Sequence, residues 1–132
     1  MKIRRRALIV VLCVLLVFSF SAVVYASASK TFFSRPSGSH RCSGRGTIDG
    51  TRASGTFQAV PIPGLPIQPD EAYSSKVTLY AHSASGELIG MSMDTGDTSA
   101  YTMYSGNNKI SAIWCYFTFN GTNFGGYRLS ID

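Results

Sequence analysis

The chain has 132 residues, with twelve Lys or Arg against seven Asp or Glu and a formal net charge of +5. At 45% hydrophobic and 14% charged residues it is too apolar for a disordered polyelectrolyte. Four of the twelve bases, Lys2, Arg4, Arg5 and Arg6, crowd the start; beyond residue 28 the remaining eight bases meet seven acids, a net of +1. That near-neutral balance excludes a nucleic-acid binder driven by bulk positive charge, so no nucleic-acid partner is expected.

The basic start runs into twelve apolar residues, 7–18, and then into Ala26-Ser27-Ala28. A basic head, an apolar run and a small-residue site together describe a secretory signal peptide, with cleavage expected after Ala28. The alternative is an uncleaved anchor, the only route by which this chain would engage a membrane. On the cleavage reading Cys13 leaves with the signal, and residues 29–132 form a single β domain, secreted and either extracellular or bound to the cell wall. The compact, Arg-rich head has a bacterial look.

The strands then follow in order. Thr31-Phe32-Phe33 reads as a short edge strand, followed by a loop through Pro36 and Gly38 that includes His40. Residues 41–48 and 51–60 form a hairpin around Asp49-Gly50. Residues 61–70 hold four of the five prolines and read as a stiff, extended crossover. Residues 76–82 alternate strictly, with Val77, Leu79 and Ala81 inward and Thr78, Tyr80 and His82 outward. Residues 87–93 return, Asp94-Thr95-Gly96-Asp97 turns, and residues 98–104 set Tyr101 and Met103 against Ala100, Thr102 and Tyr104.

Residues 109–120, KISAIWCYFTFN, are the longest uninterrupted β signal and carry the only Trp. Ile110, Ala112, Trp114, Tyr116 and Thr118 share one predicted face, and Cys115 lies on the other. Asn120-Gly121 predicts a type I′ turn into residues 124–131, where Tyr127, Leu129 and Ile131 share a face. The expected fold is all-β: a small antiparallel β-sandwich or barrel of about seven strands, with three successive hairpins forming a meander.

Cys42 and Cys115 survive signal cleavage, and an even pair in a small extracellular domain predicts a disulfide. It would close a 73-residue loop, worth roughly 4.4 kcal/mol by chain entropy.

No motif for a catalytic site, metal or cofactor emerges. Asp94-Thr95-Gly96 matches the triplet of aspartic proteases, but the later apolar pair before Gly is absent and a turn accounts for it. His40 and His82 lack metal-ligand spacing. Asn120-Gly121-Thr122 is a formal glycosylation sequon that the hairpin turn already explains. Two surfaces are candidates. Tyr80, Tyr101, Tyr104, Trp114 and Tyr116 on neighbouring strands would form a stacking platform. Lys30, Arg35, Arg41, Arg45 and Arg52 would meet an anionic partner. Together these features point to a secreted, non-catalytic interaction module for a cell-surface glycan or protein. A bacteriocin-like antimicrobial effector is the alternative. A secreted hydrolase, or a hydrolase inhibitor presenting residues 61–70, is the third.

Overall fold

The structure, a computed structural model, describes residues 7–10, 26–66 and 73–131. Most of the expected signal segment lies outside these; residues 7–10 form a short exposed helix. Among the described residues no helix is long and apolar enough to cross a membrane.

Eight strands build the domain: β1 (Ser27–Ser37), β2 (His40–Asp49), β3 (Arg52–Pro61), β4 (Ser75–His82), β5 (Leu88–Gly96), β6 (Ser99–Ser105), β7 (Ala112–Phe119) and β8 (Thr122–Ser130). They form two antiparallel four-stranded sheets, β1-β2-β3-β6 and β5-β4-β7-β8. The all-β sandwich is therefore as expected, with one strand more. The extra strand is β1, which the sequence reduces to Thr31-Phe32-Phe33. Its alternation is broken at Phe32, where a bulge between Thr31 and Phe33 lets two successive Phe side chains turn inward. Pro36 is tolerated because β1 is an edge.

The sheets stack so that β2 covers β7 and β3 covers β4. Three glycines set the spacing. A Cβ on Gly44 would lie 3.0 Å from the Phe117 ring, one on Gly46 3.2 Å from Ile113 and 2.7 Å from Phe32, and one on Gly55 3.0 Å from Val77. Missing side chains in β2 and β3 thus make room for large ones from β1, β4 and β7. Phe57, Phe117, Ile48, Leu79, Ile113 and Val77 are essentially sealed from water, each worth about 2 kcal/mol of burial.

Aromatic packing closes one side of the sandwich. Phe33 of β1 stacks on Phe124 of β8 at 4.9 Å and on Tyr127 at 5.3 Å. The Arg35 guanidinium covers the Phe124 ring at 4.9 Å and donates to the Phe124 carbonyl at 3.3 Å. On the other side β5 turns directly into β6. There the Ser92 and Thr102 hydroxyls hydrogen-bond, and the Asp94 carboxylate accepts the Tyr101 N–H at 3.3 Å.

Several expectations are corrected. The meander is interrupted, because β6 leaves its neighbours to pair with β3 while β4 pairs with β7. Inward-facing Ala100 lies opposite the buried Phe57 ring, and Thr102 lies opposite Gly55. Asp94-Thr95-Gly96 is no turn: it continues β5, pairing with Val77, Lys76 and Ser75, and the turn falls on Asp97 and Thr98. Ile110 precedes β7 and is buried on its own account, held where its N–H donates to the Gly50 carbonyl at 3.0 Å. The crossover after β3 is not simply extended: Leu65 N–H reaches the Ile62 carbonyl at 3.3 Å around Gly64, at φ +86°; residues 67–72 lie outside the described residues. The Asn120-Gly121 turn is as expected, with φ values of 48° and 80° and Phe119 opposite Thr122. Asn120 also clamps the start of β4, accepting the Ser74 N–H on its side-chain oxygen at 2.8 Å.

Cys42 and Cys115 are both buried, free thiols, so the expected disulfide is not formed. Register explains this. Cys115 lies under Gly55, with its sulfur 3.4 Å from where a Cβ would be. The β2 partner of Gly55 is Gly46, four residues from Cys42, or about 13 Å along a strand. A disulfide needs Cα atoms within about 7 Å. Burial pushes the Cys115 thiol up to about 12. Burial also raises Cys42, and nearby Arg35 offsets part of that rise.

Candidate functional site

Strand alternation sorts the aromatics. Because Cys115 faces the core, adjacent Trp114 and Tyr116 face out, at 37% and 43% exposure. The same alternation carries Thr78 and Tyr80 to the outer face of β4. Trp114 pairs directly with Tyr80, and Tyr116 with Thr78. The Tyr80 and Tyr116 rings meet edge to face at 5.7 Å. Tyr116 lies flat across β8 because its partner there is Gly126, where a Cβ would come within 3 Å of the ring.

β5 extends this face. Met91 pairs with Tyr80 and Met93 with Thr78, and both methionines are more than half exposed. Around the β5–β6 turn the inward partners are Ser92 and Thr102, which bond to each other. Their neighbours therefore point outward on both strands: Met91 and Met93 on β5, Tyr101 and Met103 on β6, the latter two at 54% and 51% exposure. The result is a belt two residues high. One row runs Met91, Tyr80, Trp114, Arg128; the other runs Met93, Thr78, Tyr116. Tyr101 and Met103 lie on the outer face of the other sheet, opposite Thr56 and Ser54.

Of the five aromatics expected to form a platform, Tyr80, Trp114 and Tyr116 share one face. Tyr101 lies instead on the outer face of the other sheet, opposite Thr56. Tyr104 turns inward over Gly90 and Gly106, and its hydroxyl donates to the Ile89 carbonyl at 3.0 Å. The methionines escape a reading that looks for rings, although Met91 and Met93 lie two apart on a strand, a spacing that already puts them on one face.

The expected basic patch divides. Arg41, Arg45 and Arg52 lie on the exposed outer face of the β1-β2-β3-β6 sheet, with Ser and Thr neighbours such as Thr47, Ser54 and Thr56. Arg45 donates twice to Ser29, at 2.8 and 3.1 Å, and Arg52 pairs in register with Asp49. Arg35 is committed to the β1–β8 seam, and Lys30 is exposed on edge strand β1.

Two clefts open at opposite ends of the β5-β4-β7-β8 sheet. One of about 580 Å³ lies beside Trp114 and is lined by His82, Lys109, Ser111 and Arg128. The other, about 310 Å³, is lined by Ser39, His40, Tyr73, Phe119 and Asn120. His40 does not sit in a loop as expected; it opens β2, 2% exposed, edge-on to Tyr73 at 4.6 Å, with Nδ1 3.1 Å from the Ser39 hydroxyl. The Asp94 carboxylate is exposed on β5, accepting the Tyr101 N–H. Among the described residues no three His, Cys, Asp or Glu side chains come together as metal ligands would.

No protein-family model matches the chain, and no curated protein matches its sequence. Two solved structures are similar in part. The crystal structure of hypothetical protein PH1083 from Pyrococcus horikoshii OT3 gives a TM-score of 0.40 at 11% identity, over 82% of this chain and 87% of that one. A beta-glycosidase from Bacteroides vulgatus gives 0.35 at 12% identity, over 79% of this chain but 12% of that one. Similarity this low carries no functional argument.

Proposed function

We propose that the chain is a secreted, non-catalytic binding module that docks a protein partner at the cell surface or outside the cell. The observation that carries this is the belt. Its composition of Met, Tyr, Trp and Arg is that of interface cores, which are enriched in these residues. Isolated exposed apolar residues are ordinary; Met91, Met93, Trp114 and Tyr116 are contiguous with Tyr80 across three strands. Flexible methionines flank rigid aromatic rings, so the surface adapts at its edge and anchors at its centre. The basic head, apolar run and small-residue site of residues 1–28 support secretion.

The test is capture from the natural extracellular milieu by immobilised protein. Wild type and Arg45→Glu, which alters the opposite face, should retain the same partner, while Met91→Glu/Met93→Glu should lose it with an unchanged melting temperature. A partner retained equally by all three proteins defeats the belt as the docking face. Retention of polysaccharide instead of protein moves the module to the glycan class.

A further inference from the structure

The 580 Å³ cleft next to Trp114 differs from the belt in chemistry. It lies where β4 ends, where the loop before β7 passes, and where β8 ends. Its charged lining is cationic, Lys109 from that loop and Arg128 from β8, and His82 at the last position of β4 adds an imidazole. No acidic side chain among the described residues lines it. Glu87 belongs to the turn after β4 and stays outside the lining; Asp132 lies outside the described residues. Trp114 lines the cleft and is the cross-strand partner of Arg128.

One atom here lacks a partner. His82 Nδ1 is buried without a hydrogen bond, a condition proteins rarely leave unexplained. Beside it the Ser111 N–H donates to the His82 carbonyl at 2.9 Å, and the Ser83 and Ser85 hydroxyls bond each other at 2.8 Å.

We propose that this cleft binds an acidic sugar, with Trp114 against the ring face and Lys109 and Arg128 on the carboxylate. Trp supplies an apolar ring matched to the face of a sugar, and Arg with Lys supplies charge-assisted donors for a carboxylate. His82 Nδ1, buried in the cleft wall, is left without a partner. The volume lies in the range of small-molecule sites, about 300–1,000 Å³. The site shares Trp114 and Arg128 with the docking belt and is otherwise separate from it, and it stands or falls without it.

The test is a titration of ¹⁵N-labelled protein with glucuronate, glucose and inorganic phosphate in separate arms. Glucuronate should shift the Trp114 indole and the backbone of residues 109–111 saturably, with glucose and phosphate each binding at least about tenfold more weakly, since each lacks one half of the recognition. Lys109→Gln and Arg128→Gln should each weaken glucuronate about tenfold, the worth of one charge-assisted hydrogen bond. Met93→Glu, in the belt but outside the cleft, should leave it unchanged. The ¹⁵N spectra themselves report that each exposed-site variant is folded. Equal binding of glucose shows that the cations do not recognise the ligand, and equal binding of phosphate shows that the sugar ring is not recognised; either overturns the proposal. So does the absence of saturation by glucuronate at millimolar concentrations.

Discussion

Raising the pH above 9 should destabilise this fold through Cys115. The thiol is sealed under Gly55 and between the sheets, and burial lifts it from 9.0 to about 12. Between those values the unfolded chain loses a proton that the folded chain keeps. Folded protein then binds more protons than unfolded, so stability falls as pH rises, by up to about 1.4 kcal/mol per pH unit. At pH 11 the loss from Cys115 alone is roughly 2–3 kcal/mol, a large share of the 5–15 kcal/mol of a typical domain. Tyrosines and lysines titrate in the same range, so the informative quantity is a difference. Urea unfolding at pH 8, 9, 10 and 11 is compared for wild type and Cys115→Ala. The variant is less stable at pH 8, on the order of 1 kcal/mol for its small cavity. It should close that gap and then exceed wild type as pH rises. Parallel stability curves above pH 9 would refute the buried-thiol account. So would an intact mass two hydrogens lighter under non-reducing conditions, since a Cys42–Cys115 disulfide leaves no thiol to titrate.

Three further outcomes follow from the packing. Gly121→Ala should cost about 1–2 kcal/mol in urea unfolding, because φ +80° is strained for any residue with a Cβ. Phe117→Ala should cost about 3–5 kcal/mol, since its ring contacts Phe32, Phe33, Phe57 and Tyr127 and links both sheets; a loss under 1 kcal/mol would mean that the sheets are held elsewhere. Gly46→Ala should cost about 1–3 kcal/mol by crowding Phe32 and Ile113, and Gly46→Ala/Phe32→Leu should recover part of that loss if the crowding is the cause.

Local patterns made much of this fold legible. Strict alternation in β4 separates Val77, Leu79 and Ala81 from Thr78, Tyr80 and His82, and the burial follows it. Asn120-Gly121 specifies its own turn, because few other pairs accept two positive φ angles. The adjacency of Trp114 and Cys115 requires opposite faces, leaving one bit of information, which face is interior, for the structure to supply. What was not legible is non-local. β1 has two Phe on one side of a bulge, a Pro and several Ser, and becomes a strand only because β2 offers a ladder and Gly44 and Gly46 offer space. The switch of β6 from one sheet to the other depends on which partner fits Ala100 and Thr102, which no short window encodes. The disulfide failed for the same reason: two cysteines predict a bond by number, and register decides whether they meet. At the candidate site the rings were visible in the sequence, but the belt needed Met91 and Met93, and the cleft needed Lys109 and Arg128, which only the fold brings beside Trp114.

The central claim is that the belt is where this protein meets its partner. Photo-crosslinking tests it most directly, with a benzophenone side chain placed singly at Met91, Met93 or Tyr116, and at Thr47 or Thr56 on the opposite sheet. Irradiation in the natural extracellular milieu, followed by mass spectrometry, should join one and the same protein to all three belt positions and to neither of the others. A partner joined to Thr47 and Thr56 instead, or no joined protein at any belt position, would contradict it.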